Sequence, residues 1–106
     1  RLVVAFQPHR YSRTRDQAIG MAEALDGADV AVLMDVYGAR EDPVTGVGSH
    51  LISEPLVAQG RSARVVSLDE AIAAVAQGAA DGDLVLTVGA GDVTHLGPRL
   101  LEALDR

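Results

Sequence analysis

The sequence predicts an α/β domain, with a Rossmann-like, open and mainly parallel sheet carrying helices on both faces. Three observations lead there. Short apolar runs (Leu2 to Phe6, Val30 to Met34, Ala63 to Val66 and Leu84 to Val88) alternate with longer stretches of helical periodicity. The runs are nearly continuous in Val, Leu and Ala, as strands covered on both faces are. The unusual polar residues follow the runs, at the sheet edge where α/β folds bind ligands.

The chain has 106 residues and reads as one domain, residues 1–106. A chain of this size buries roughly 65% of its unfolded surface, enough for one modest core. Hydrophobic residues make up 48% and the mean hydropathy is +0.17, which marks globular material. The net charge is −6, and all 9 cations are Arg. That acidic balance speaks against nucleic acid as a main partner, because phosphate backbones need a basic surface. No apolar run approaches the roughly 18 residues of a membrane span, so no membrane contact is expected. With no signal-peptide pattern either, a soluble cytoplasmic protein is expected. The absence of Cys removes disulfides, thiolate zinc sites and a Cys nucleophile.

Leu2 to Phe6 is the first strand, and Ser12 or Thr14 can cap the helix after it. Ala18, Ile19, Met21, Ala22 and Leu25 form that helix's apolar stripe, and Asp26-Gly27 ends it with Gly suited to a left-handed cap. The strand Val30 to Met34 leads into a long loop from Asp35 to Gly48, a length usually reserved for function or mobility. Ser49 can cap a helix reaching about Ala58, in which Pro55 predicts a break or bend, and Gly60 marks its end. After the strand Ala63 to Val66, Ser67 and Glu70 have capping-box spacing for a helix over Ala71 to Ala79. Asp81-Gly82-Asp83 is a turn, Leu84 to Val88 the last strand, and Val93 to about Leu104 the last helix. The chain opens directly on a buried strand, and four strands fall below the usual five or six. A preceding strand and helix are therefore expected to belong to the domain.

His9, Arg10, Tyr11, Arg13 and Arg15 crowd the turn after the first strand. Arg offers a planar, permanently charged fork for carboxylate or phosphate. Cations at the positive end of a helix dipole are misplaced unless an anion sits among them. Asp35 is suited to accept hydrogen bonds from a ribose, to coordinate a cation, or to cap its loop. Glu41 and Asp42 read as solvated. Gly89-Ala90-Gly91 starts like a dinucleotide fingerprint, but Thr94 stands at the third glycine position. A tight turn with Asp92 as helix cap explains it equally well, and so do glycines that admit a substrate or a neighbouring domain to the backbone. His50 and His95 read as surface residues at helix starts. No metal-ligand spacing, P-loop or Ser-His-Asp arrangement is present, so the residues alone predict an anion-binding α/β domain.

The string Phe6-Gln7-Pro8-His9-Arg10-Tyr11-Ser12-Arg13-Thr14 resembles the signature of the C-terminal domain of the Mur ligases of peptidoglycan synthesis, in the branch that adds L-alanine. The likeness continues through Asp35-Val36-Tyr37-Gly38-Ala39-Arg40-Glu41. It closes with Thr87-Val88-Gly89-Ala90-Gly91-Asp92-Val93-Thr94 and Leu96-Gly97-Pro98. The resemblance implies a three-domain enzyme: an N-terminal domain for the UDP-sugar, a central ATPase domain with the P-loop, and this C-terminal domain. The implied reaction joins L-alanine to UDP-N-acetylmuramate through an acyl-phosphate, using ATP and Mg2+, which the central domain mainly binds. It also implies that Arg10 and Arg13 face the substrate cleft and take the alanine carboxylate or nearby phosphoryl oxygens, with His9 and Tyr11 shaping the pocket. Asp35, Tyr37, Gly89, Gly91 and Asp92 are candidate nucleotide or domain-interface contacts. The family's Asp-Tyr-His-His-Pro type segment, P-loop Lys and magnesium ligands are not in this chain. No catalytic residue and no ligase activity are expected of it alone. The alternatives are a Mur-type ligase for another amino acid or peptide, and a stand-alone anion- or nucleotide-binding module.

Overall fold

All four apolar runs are strands, and all pair in parallel. The computed structural model describes residues 1–89 and 96–104. The order is β1 (Leu2–Gln7), α1 (Tyr11–Leu25), β2 (Val30–Met34), α2 (His50–Ala58), β3 (Ser62–Val66), α3 (Leu68–Gly78), β4 (Leu84–Gly89) and α4 (Leu96–Leu104). The sheet order is β3-β2-β1-β4. Val3 pairs in register with Val30 on one side and Val85 on the other, so apolar rows run across the sheet.

Side-chain alternation on the strands builds a core on each face. Val3, Ala5, Val32 and Met34 pack with Ala71, Ala74 and Val75 of α3 and with Leu96 and Leu100 of α4. Ala31 and Leu33 point to the opposite face, against Ala18 and Ala22 of α1 and Ile52 and Leu56 of α2. The small residues of α1 let that helix lie close to the sheet. The Rossmann-like α/β layering read from the sequence is the observed architecture.

Several terminal details differ from the expectations. Neither Ser12 nor Thr14 caps α1: the helix starts at Tyr11 with Arg10 at its N-cap, and Arg10 provides no side-chain cap. Gly27 is not a left-handed cap, because Asp26 follows Leu25 in right-handed geometry and Gly27 does not have a positive φ. Ser49 precedes α2 without capping it; its hydroxyl instead donates to the Met34 carbonyl at 2.5 Å, tying α2 to the end of β2. Pro55 lies inside α2, which runs through it. Burial of Ile52 and Leu56 on either side holds the segment across the one bond proline cannot make.

Other signals hold as read. Gly60 takes φ +80 just past α2. Glu70 N–H donates to Ser67 Oγ at 3.2 Å while Ser67 N–H donates to Glu70 Oε1 at 3.1 Å, the reciprocal capping box. The predicted first turn of the last helix, at Val93 to His95, lies outside the described residues.

Candidate anion-binding site at the switch point

The chain lays β1, β2 and β3 outward in one direction, then returns to place β4 on the other side of β1. The strand order therefore reverses between β1 and β4, and the crevice above their carboxyl ends is where doubly wound sheets bind ligands. Gln7 and Gly89, the last residues of the two strands, are register partners there. Gly89 has φ +128, and a Cβ on it would stand 2.5 Å from the Gln7 carbonyl oxygen. Its own neighbouring strand, rather than a ligand, is what requires a glycine at this position.

The turn after β1 is bound tightly to the loop after β2. Tyr37 N–H donates to the Pro8 carbonyl at 2.8 Å, and Arg10 N–H donates to the Tyr37 carbonyl at 2.7 Å. These bonds extend the β1–β2 ladder by one isolated bridge, His9 to Tyr37. The two rings stack with centroids 5.9 Å apart and planes 11° from parallel. Arg10 is held at φ 68 and ψ 138, backbone usually left to glycine. Its carbonyl accepts from Thr14 N–H at 3.1 Å and from Thr14 Oγ1 at 2.8 Å, so both of its peptide groups are pinned.

Ala39 and Arg40 also take positive φ, at 51 and 77, in a turn closed by Glu41 N–H to the Gly38 carbonyl at 3.0 Å. Strained non-glycine backbone of this kind collects at functional sites. The turn delivers Glu41 to the start of α1, where its carboxylate accepts from Ser12 N–H at 3.1 Å and from Ser12 Oγ at 2.6 Å. The Ser12 hydroxyl, then the Ser12 amide, the Tyr11 amide and the Arg10 charge hold the Glu41 carboxyl below its ordinary pKa. Glu41 is therefore not a solvated residue. Its carboxylate answers part of the Arg cluster's demand for an anion and gives α1 the cap its own sequence does not supply.

Two shallow grooves flank this junction. One, of about 360 Å³, lies over the switch point: Phe6 and Met21 give it an apolar floor, with His9, Arg13, Gln17 and Gly89 around it. The other, of about 500 Å³, is lined by His9, Arg10, Ser12, Arg13, Asp16 and Gln17. His9 and Arg13 border both, and Arg13 Nε leans toward Gln17 Oε1 at 3.4 Å. Arg10 borders only the second. Arg15 turns away to an exposed pair with Asp16 at 3.0 Å, which contributes little.

His9, Arg10, Arg13 and Tyr37 thus converge on one edge. Tyr11 lines neither groove; its ring lies against Gly38, where a Cβ would meet Tyr11 Cε2 at 3.2 Å. The Asp35 carbonyl accepts from Gln7 Nε2 at 3.3 Å, and the residue is exposed beside the site. Gly91 and Asp92 lie outside the described residues. Among the described residues no group of three His, Asp or Glu side chains is placed to hold a metal ion. No described helix is long and apolar enough to cross a membrane. Glu41 is the residue the sequence reading missed. The signal for it was a helix start with several Arg and no acidic residue in its first turn.

Comparison with known proteins decides the family. Residues 1–91 match the model of the Mur ligase, glutamate ligase domain. The chain belongs to the Mur ligase family. It is similar to the UDP-N-acetylmuramate–L-alanine ligase of Paenarthrobacter aurescens (strain TC1), 56% identical over 101 residues, which covers 95% of this chain and 21% of that protein. The enzyme of the same name from Streptomyces coelicolor is 50% identical over 107 residues, 100% of this chain and 23% of its own length. That of Thermobifida fusca (strain YX) is 51% identical over 104 residues, 98% and 22% respectively. This Mur ligase domain spans about a fifth of the length of those relatives.

Proposed function

We propose that the chain is the C-terminal domain of a UDP-N-acetylmuramate–L-alanine ligase, and that Arg10 and Arg13 hold the carboxylate of the incoming L-alanine or nearby phosphoryl oxygens. The observation that carries this is the convergence of His9, Arg10 and Arg13 on the switch-point edge, in a chain similar to ligases of that name along nearly its whole length. A guanidinium fork reads a planar carboxylate through two parallel N–H bonds, fixing the direction of the amine as well as binding it. Oriented delivery of a nucleophile to an activated carboxyl is where such an enzyme gains rate. His9, braced against Tyr37, lines the approach. ATP supplies the activation. In this reading nucleotide and Mg2+ are bound mainly by the central domain of the full-length ligase, and the chain by itself is inactive.

A strand and helix preceding Arg1 complete this domain in our reading. Among the described residues β4 pairs only with β1. Leu84, Leu86 and Val88, on the face shared with α1, are 59%, 41% and 44% exposed. A row of apolar side chains on an edge strand calls for cover.

The test is ATP-dependent phosphate release by the full-length parent with UDP-N-acetylmuramate, with and without L-alanine. Alanine-dependent turnover that falls at least tenfold in kcat/KM in Arg13→Ala, about 1.4 kcal/mol of transition-state stabilisation, is the expected result. Turnover that ignores the mutation would remove Arg13 from the site. An absence of alanine dependence would point to a Mur-type ligase for another amino acid.

A further inference from the structure

We infer that Glu41 is a positioning residue for the substrate-facing arginines, acting across two loops by capping the helix that carries them. The inference rests on the reading of Arg10 and Arg13 just given. It starts from a deficit. The first turn of α1 has N–H groups that the helix itself cannot satisfy, contains no acidic residue and gets no side-chain cap from Arg10. Ser12 N–H and Oγ both donate to the Glu41 carboxylate, at 3.1 and 2.6 Å. Ser12 lies between Arg10 and Arg13, so this contact clamps the segment that presents both guanidinium groups.

The clamp is built rather than incidental. Glu41 reaches Ser12 through a turn in which Ala39 and Arg40 both hold positive φ, and a free loop would relax out of that geometry. Gly38 allows the close approach: a Cβ there would lie 3.0 Å from the Glu41 carbonyl and 3.2 Å from the Tyr11 ring. Two further backbone bonds at Tyr37 fix the same loop to Pro8 and Arg10. The loop from Asp35 to Gly48 therefore sets the height and angle of the arginines while standing outside the grooves they line.

The experiment uses the full-length ligase and steady-state kinetics, varying L-alanine and UDP-N-acetylmuramate separately. Glu41→Ala is expected to lower kcat/KM for L-alanine about tenfold through misplacement of the arginines, with the KM for UDP-N-acetylmuramate unchanged. Glu41→Gln keeps one carbonyl acceptor for Ser12 and should recover part of the loss; it also stands in if the alanine variant fails to fold. In an Arg13→Ala background, Glu41→Ala should cost less than it does in wild type, because the share of its effect carried by Arg13 is already gone. An unchanged kcat/KM for L-alanine, an equal rise in the KM for UDP-N-acetylmuramate, or full additivity with Arg13→Ala would each overturn the positioning role and leave the site reading standing. Wild-type kinetics in Arg13→Ala alone would overturn the site reading, and this inference with it.

Discussion

Arg10 holds an unfavourable backbone conformation because its N–H is bound to Tyr37 and its carbonyl to Thr14. Backbone of that type costs roughly 1–3 kcal/mol for a residue with a Cβ. Glycine adopts it freely but loses more chain entropy on folding. Arg10→Gly should therefore be more stable than Arg10→Ala by about 1 kcal/mol, measured by urea unfolding of the full-length protein, while both variants lose alanine-dependent turnover. Equal stabilities would mean that the strain is not borne at Arg10. Gly89 is the reverse case. At φ +128 with the Gln7 carbonyl 2.5 Å from any Cβ, Gly89→Ala should destabilise by at least ~2 kcal/mol, seen as a lower urea midpoint. The arginine cluster was legible from the sequence as cations at the wrong end of a helix. Its partner was not, because Glu41 lies 29 positions from Ser12 and only the strained turn at Ala39 and Arg40 brings the two together.

Strands and helices divide by how local their causes are. The β1, β2 and β4 runs were legible to within a residue, since continuous apolar runs ending in polar turns leave little choice of boundary. The α3 start was legible too, because a capping box is written within four residues. That cap is worth about 1 kcal/mol, so Ser67→Ala should lower stability by that amount in a urea titration. No change would mean that packing of Ala71, Ala74 and Val75 alone sets the helix start. Caps made by distant groups were not legible. Ser49 looks like the cap of α2, yet its hydroxyl serves the Met34 carbonyl. Pro55 looks like a breaker, yet tertiary burial of Ile52 and Leu56 overrides it. Stacking of His9 on Tyr37 likewise depends on two loops meeting, which periodicity does not report.

At the scale of the molecule, the end of the sheet opposite the site is held by charge. Arg1 Nη2 donates to the Gly78 carbonyl at 2.6 Å and to Asp83 Oδ2 at 3.0 Å. Asp83 Oδ2 also accepts from Ala80 N–H at 2.7 Å. One carboxylate thereby joins the start of β1, the end of α3 and the start of β4. The Arg1 hydrogen bonds first, and then the Ala80 amide, hold the Asp83 carboxyl below the usual 3.8, at about 2. Lowered in the folded state, this group adds stability that is fully present above 3.8 and lost as pH falls through about 2. Glu41 and Glu70, held below their ordinary values by Ser12 and Ser67 respectively, act in the same direction. Urea midpoints of the full-length protein should therefore decline as pH drops from about 5 toward 2, wherever the unfolded chain binds more protons than the folded one. Asp83→Asn should lower the midpoint at neutral pH and flatten that decline, the two proteins converging in acid. Parallel curves for wild type and Asp83→Asn would show that the Arg1–Asp83 contact does not couple proton binding to folding. The acid dependence would then belong to the two glutamate caps, which Glu41→Gln and Glu70→Gln separate.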